Sequence, residues 1–414
     1  MLTLSKSEGI GGMIKQAAED FVVEEITENG TVLETKRQYS ANDLGMQVDG
    51  GGRFTIFVMQ KMNWNTIQAL KRIAAWQRRG IKSVGFAGTK DRTSVSTQLC
   101  SIYGVTPEQL GDVRLKDLKI NGAWRANEGI KMGELLGNRF TILVKDVKKP
   151  ESIGRINDEL GGVFPNYFGE QRFGYRNNNV EIGVDIIKGD FKSAAMRFLT
   201  DTTNERNEDA ISARNKLKET EDFKQALGSF PLYLRYERQL LDHLAMIPTD
   251  YAGAIRRLPR ALSLMFVHSV DSYIFNTVIE KRIRDGLTAP QPFDKVCRAD
   301  RFSFPILDRV TSAEDAGNVD GKRFIVGNIV GYDNEINEVE KGVLGELGIT
   351  QEQFKVKSMP ELNCRGAYKV LFAPYLNFSY ETRENEVGMQ FSLPSGSYAT
   401  VLMEEFLKQH QQSK

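Results

Sequence analysis

Histidine and cysteine are scarce in this 414-residue chain, with three of each. Cys100, Cys297 and Cys364 lie far apart and form no C-x-x-C pair, so neither a zinc ribbon nor a disulfide framework is indicated. A metal centre built on His243, His268 and His410 would need two or three of them to converge from distant segments, whereas zinc ligands usually cluster. No run reaches the roughly 18 consecutive apolar residues of a membrane-crossing helix. The N-terminus, MLTLSKSEGIGGMIKQ, lacks the apolar stretch of a secretory signal. An excess of one charge is missing too, since 55 Lys+Arg face 54 Asp+Glu. These absences point to a soluble, cytoplasmic protein and leave any chemistry to carboxylates, amines, hydroxyls and amides. A balanced total does not exclude a nucleic-acid binder, because a local basic face matters more than the sum. KRIAAWQRRGIKS (71–83) is such a concentration.

What is present includes 41% hydrophobic residues, enough for a large core and two domains. FVVEEI (21–26), FTIFVMQ (54–60) and FTILV (140–144) are β-branched and aromatic and read as strands. Over 65–79, Ile67, Leu70, Ile73 and Ala74 recur at helical spacing, and Gly80 stands where a glycine cap belongs. IKSVGFAGTKD is a short strand running into a glycine loop. This is an α+β pattern without strict βαβ alternation. The middle changes character. Residues 203–226 are charged and helical, 258–286 form a long amphipathic helix with Leu264, Val267, Ile274, Phe275 and Val278 on one stripe, and 342–356 suggest a further helix. MQFSLPSGSYATVLMEEFLKQ reads as strand, turn and final helix. The predicted organisation is a first domain in two parts, 1–174 and 371–414, completing one sheet around an insertion, 175–370.

Four segments could carry chemistry. In GFAGTKDRTSVSTQ (85–98), Gly85 and Gly88 shape a loop that holds Asp91 between Lys90 and Arg92. Taken alone, such a tripeptide is most often a solvated turn. The spacing does not fit a phosphate loop, because Lys is followed by Asp. A carboxylate in such a loop suits nucleophilic or acid–base work, and needs a cation nearby to stay ionised in a cleft. In an extended segment Lys90 and Arg92 point away from the Asp91 face, so that cation should come from elsewhere. PNYFGEQRFGYR (165–176) interleaves Tyr167, Phe168, Phe173 and Tyr175 with Arg172 and Arg176, which suits base stacking and phosphate pairing but equally a packed loop. GNRFTILV (137–144) and LPSGSYAT (393–400) are turns whose polar groups either meet a ligand or cap local backbone.

These segments, in this order and with EDFVVEE near the start, resemble the TruD family of tRNA pseudouridine synthases over nearly the whole chain. AGTKDR and NYFGEQRFG are the most specific, and the insertion resembles that of archaeal members. The resemblance implies a mixed, largely antiparallel sheet shared with other pseudouridine synthases, with an inserted, mainly helical α/β domain. It implies no metal and no organic cofactor, and tRNA as partner, usually at uridine 13 of the D-arm; a monomer with no membrane association is expected beside it. Carried over by position, Asp91 is the catalytic aspartate and Lys15 the basic residue upstream of the DFxVxE stretch. Phe21 lies near the target base, Asn138 is the active-site asparagine and Phe140 stacks on the flipped base. Lys90, Arg92 and Arg172 are expected RNA contacts. QAAEDF departs from relatives that have a proline before the Glu-Asp pair, which affects a turn. Two other readings stand beside this one: a non-catalytic RNA-binding or chaperone protein on the same scaffold, and a carboxylate hydrolase with Glu170 as second carboxylate.

Overall fold

The sheet that carries the predicted site has central strands buried along most of their length. In chain order the first strands are β1 (Phe21–Ile26), β2 (Phe54–Met62), β3 (Val84–Phe86), β4 (Val95–Tyr103), β5 (Leu118–Ala126) and β6 (Gly137–Val144). Later come β7 (Val163–Pro165), β8 (Lys295–Arg298), β9 (Thr311–Ser312), β10 (Arg323–Ile329), β11 (Ala367–Val370), β12 (Phe372–Pro374), β13 (Leu376–Arg383) and β14 (Glu386–Pro394). In this computed structural model, which describes residues 1–315 and 322–409, one eight-stranded sheet runs β13-β14-β6-β1-β4-β2-β5, with β3 paired to β4. β1 and β4 are parallel; their other pairings are antiparallel, so the sheet is mixed. Its register aligns Val23 with Phe140, Glu25 with Asn138, and Asn138 with Leu393.

Helix Thr66–Trp76 buries Ala69, Leu70, Ile73 and Ala74 against Phe57, Met59, Cys100 and Ile102 of that sheet. Asn65 caps its start by accepting from the Ile67 N–H at 2.9 Å. Its end differs from the expected glycine cap. Gln77 closes the helix, and Arg78 takes the left-handed conformation at φ 52°. The Arg78 and Arg79 N–H groups then bond Ala75 O and Ala74 O, at 3.0 and 2.8 Å. That is a Schellman turn, which satisfies the last carbonyls without glycine.

Two compact units divide the chain. The unit with the large sheet holds 3–165, 298–306 and 372–414. In it β7 pairs antiparallel with β12, Pro165 opposite Phe372. The other unit holds 1–2, 166–297 and 307–371. It has a four-stranded sheet, β11-β10-β8-β9, and a helical core centred on helix Arg260–Arg284. That 25-residue helix is, among the described residues, the one long and apolar enough by composition to cross a membrane. Val267, Val270, Ile274 and Phe275 are fully buried in the core, which accounts for its apolar content. The charged run 203–226 forms two helices, Glu208–Thr220 and Phe223–Ser229, broken at Glu221 (φ 46°) and restarted by the Asp222 cap.

Candidate active site

The loop between β3 and β4 presents Asp91 to solvent, its side chain 60% exposed. The backbone beneath it is held at many points. Lys61 Nζ and Ser94 Oγ both donate to Asp91 O, at 2.9 and 2.8 Å. Thr66 Oγ1 accepts from the Lys90 N–H at 2.9 Å, and Gln98 Nε2 donates to Gly88 O at 2.9 Å. Lys61 is fully buried. Burial first, then repulsion from Lys90, brings its pKa down from 10.5 to about 8.

The cation that the loop needs is Lys15. Its ammonium lies 2.6 Å from Asp91 Oδ2 and 4.2 Å from the centre of the Phe21 ring. Lys15 is in the left-handed region, φ 59°, between the Met13–Lys145 bridge and the short 3-10 turn Ala18–Asp20. Such a backbone is uncommon without glycine, and it aims the side chain across 76 positions of sequence to Asp91.

Beside this pair is a cavity of about 440 Å³ lined by Phe21, Val23, Asp91, Asn138, Phe140 and the 395–400 turn, among others. Phe140 is 6% exposed, stacked on Phe391 at 5.7 Å and meeting the edge of Phe21 at 6.0 Å. Asn138 Oδ1 and Ser397 Oγ are buried and find no hydrogen-bond partner among the described residues. A buried acceptor without a partner costs about 1–3 kcal/mol, so an incoming donor would recover that cost. Lys15, Phe21, Asp91, Asn138 and Phe140 are therefore brought together.

Lys90 is not available as the expected RNA contact. Its Nζ lies 2.6 Å from Glu25 Oε2, with side-chain exposures of 3% and 0%. The alternation of an extended segment turns Asp91 out and Lys90 in, where a buried ammonium requires a carboxylate partner. Glu25 also accepts from the Leu99 N–H, 2.9 Å. Arg92 is exposed. Arg172 belongs to the other unit, in the 3-10 turn Glu170–Phe173, half-buried with its guanidinium 5.2 Å from the Phe168 ring. Around it the aromatic motif is mostly packed. Tyr167 is buried, Phe168 meets Phe275 edge-on, and Asn276 clamps both Phe168 N–H and Phe168 O. Tyr175 alone of its aromatics is widely exposed.

The sequence reading missed Lys61, Glu25 and Ser397. A lysine inside the apolar run of β2 and a glutamate pair inside β1 were the available signals. It also left the histidines apart. In the second unit His268 Nδ1, Asp271 and Cys364 Sγ lie within 4.8 Å of one another. Its 2.8 Å bond to Asp271 pushes the His268 pKa up to about 10.

The family model for tRNA pseudouridine synthase D (TruD) matches residues 2–406. Proteins named as probable tRNA pseudouridine synthase D are 36% identical in Methanococcoides burtonii, over 98% of this chain and 95% of that one. The Methanopyrus kandleri protein is 37% identical over 87% of each. A crystal structure from Methanosarcina mazei, likewise described as a TruD protein, superposes with a TM-score of 0.77 at 30% identity, covering 99% of this chain and 96% of its own. Matched in sequence from residue 2 to residue 406 and in fold over nearly its whole length, the chain belongs to the tRNA pseudouridine synthase D family.

Proposed function

We propose that this protein isomerises a uridine of tRNA, at position 13 of the D-arm, to pseudouridine. The carrying observation is the Lys15–Asp91 pair at 2.6 Å beside a cavity with an aromatic floor. The reaction breaks the N1–C1′ bond, turns the base and joins C5 to C1′. The target must leave the RNA stack, at a cost of roughly a few kcal/mol. Stacking on an aromatic platform returns about 1–3 kcal/mol, and Phe140, which lines the cavity, is the ring we assign to that role.

Asp91 acts on the sugar, either by adding to C1′ as N1 departs or by taking the C2′ proton to give a glycal. Both routes leave uracil as an anion in the cavity. Lys15 balances the charge of Asp91 before that step and of the detached base after it. Asn138 Oδ1, buried without a partner among the described residues, accepts from a base N–H in this reading. C5 then bonds C1′ as the Asp91–C1′ bond breaks, or, by the glycal route, as C2′ regains its proton from Asp91; last, C5 gives up its proton and N1 takes one up. No electrons and no water are consumed, so the chemistry calls for neither metal nor organic cofactor. A monomer acting in the cytoplasm is part of this reading. In this reading the large-sheet unit is the catalytic domain, and the insertion is the family's additional domain.

A non-catalytic RNA-binding or chaperone role has no use for a solvent-facing carboxylate with its own ammonium. The hydrolase reading needs a second carboxylate beside Asp91, and among the described residues none other lines the cavity. The test is tritium release from unmodified tRNA bearing 5-tritiated uridine, followed by mapping of the product. Release by wild type establishes the reaction. Binding without release from any folded tRNA would favour the chaperone role.

A further inference from the structure

The mechanism leaves one feature of the sequence unused. Residues 63–88 contain five basic residues and no acidic one, in a chain with 54 acidic residues among 414. The fold gives this run a definite face. Helix Thr66–Trp76 turns Ala69, Leu70, Ile73 and Ala74 into the core, and on its other side Lys71, Arg72 and Trp76 are exposed. Trp76 keeps 47% of its surface in water, so its ring is accessible on this face. The Schellman turn and the short 3-10 turn that follows extend the face with exposed Arg78 and Lys82.

Two bland explanations cover only part of this. Arg79 is used internally, donating to Gly104 O at 2.6 Å. Cations just past a helix C-terminus complement its dipole, which suits Arg78 but not Lys71 and Arg72 in mid-helix. None of Lys71, Arg72, Arg78 and Lys82 has an ion-pair partner among the described residues.

The face is also tied to the catalytic loop. The helix begins at Thr66, whose hydroxyl holds the Lys90 N–H, and the Asn63 N–H bonds Ser94 O at 3.3 Å. An 11-residue helix extends about 16 Å at 1.5 Å per residue. A strip of unpaired cations therefore starts where Asp91 and Arg92 emerge and runs along one rigid element, braced by the sheet.

We propose that this face, Lys71, Arg72, Trp76, Arg78 and Lys82 with Arg92 at its catalytic end, is the track for the sugar–phosphate backbone flanking the target uridine. The inference rests on the tRNA reading above. A polyanion is the partner that a strip of one sign fits. Extruding a base also requires the neighbouring backbone to be gripped, and contacts along a rigid helix do so without ordering a loop. Arg72 and Arg78 offer forked donors to phosphate oxygens. Trp76 offers a stacking surface to an unpaired base.

The test uses the full chain in two doubles, Lys71→Gln/Arg72→Gln and Arg78→Gln/Lys82→Gln. Each removes the same charge from exposed positions. Lys341→Gln, an exposed lysine of the other unit paired to Glu338, is the control. Binding of an unmodified tRNA transcript is titrated from low to moderate salt, with a thermal melt for each variant. The expected result is affinity about tenfold weaker at low salt for each double. The salt slope should be shallower by about 0.7–0.9 for each phosphate that is no longer neutralised, with melts and the control unchanged. Doubles that bind with wild-type affinity and slope overturn the track while leaving the enzymatic reading intact. A wild-type protein that fails to bind tRNA overturns both.

Discussion

The Asp91 carboxylate is unusual among the site groups in standing mostly in water, while Lys61, Ser94, Thr66 and Gln98, which hold the loop beneath it, are buried. Asp91→Asn preserves the shape and removes the charge. It is expected to abolish tritium release while leaving tRNA affinity within a factor of about two, and a variant that still turned over would deny Asp91 the central role. Lys61 supports the loop through its bond to Asp91 O, and its burial has a pH signature. In the native protein it loses its proton near 8, and at its ordinary value near 10.5 once unfolded. Between those values the unfolded chain binds more protons, so the stability attributable to Lys61 rises as pH climbs from about 8 to 10.5 and is flat below. Comparing wild type with Lys61→Met by denaturant unfolding across that window isolates the effect, which should amount to a few kcal/mol at most, at about 1.4 kcal/mol per pH unit. A stability difference that did not change with pH would mean that the charge is not felt. Phe140 has two roles at once. Being buried against Phe391 and Phe21, its truncation to Ala should cost stability, on the order of 3–5 kcal/mol, as well as activity. Phe140→Leu is the sharper probe, with a fall in kcat/KM out of proportion to a modest change in Tm.

At the scale of elements, the site is organised by the meeting of β6, β1 and β14 and by the loop between β3 and β4. The buried pair Lys90–Glu25 pins that loop to β1. Lys90→Met leaves the Glu25 carboxylate without its ammonium partner, which should cost about 3–5 kcal/mol, whereas Glu25→Gln/Lys90→Met should recover much of it. Unfolding curves of the two variants decide this, and equal losses would count against the pairing. Gly137 opens β6 next to Asn138, and a Cβ there would stand 2.1 Å from Leu393 O on β14. Gly137→Ala is expected to lower stability by about 1–3 kcal/mol and to reduce activity by displacing Asn138, read as a lower Tm and slower turnover. The elements themselves were largely legible. β1 has the bounds read from its β-branched run, and the final strand, turn and helix fall in order. The misreading at Gly80 is instructive, because a cap is decided by which backbone turns left-handed, and Arg78 does so here.

At the scale of the whole molecule, each compact unit has its own core. The one containing Ile182, Phe198, Leu241, Val270 and Ile274 is drawn entirely from the middle of the chain. Residues 166–371 expressed alone are therefore expected to melt cooperatively. The ends of this segment are close, the Asn166 N–H bonding Leu371 O at 2.8 Å, so excision does not strand a long tail. A featureless melt would show that the core needs the rest of the chain. The sequence by itself determined most of the elements, though not the helix expected at 342–356, which runs Glu338–Leu347 and ends at a left-handed Gly348. It also determined the identity of the aspartate loop and the motifs that mark the family, because these depend on local pattern and on residue types at short spacing. Only the tertiary structure decided that Lys15 reaches Asp91, that Lys90 turns inward to Glu25, and that Lys61 holds the loop from beneath. Those partners are 76, 65 and 30 residues apart. Which charge is buried, and which carboxylate meets it, depends on strand pairing and on which way each side chain faces, and neither is encoded in any single stretch of the chain.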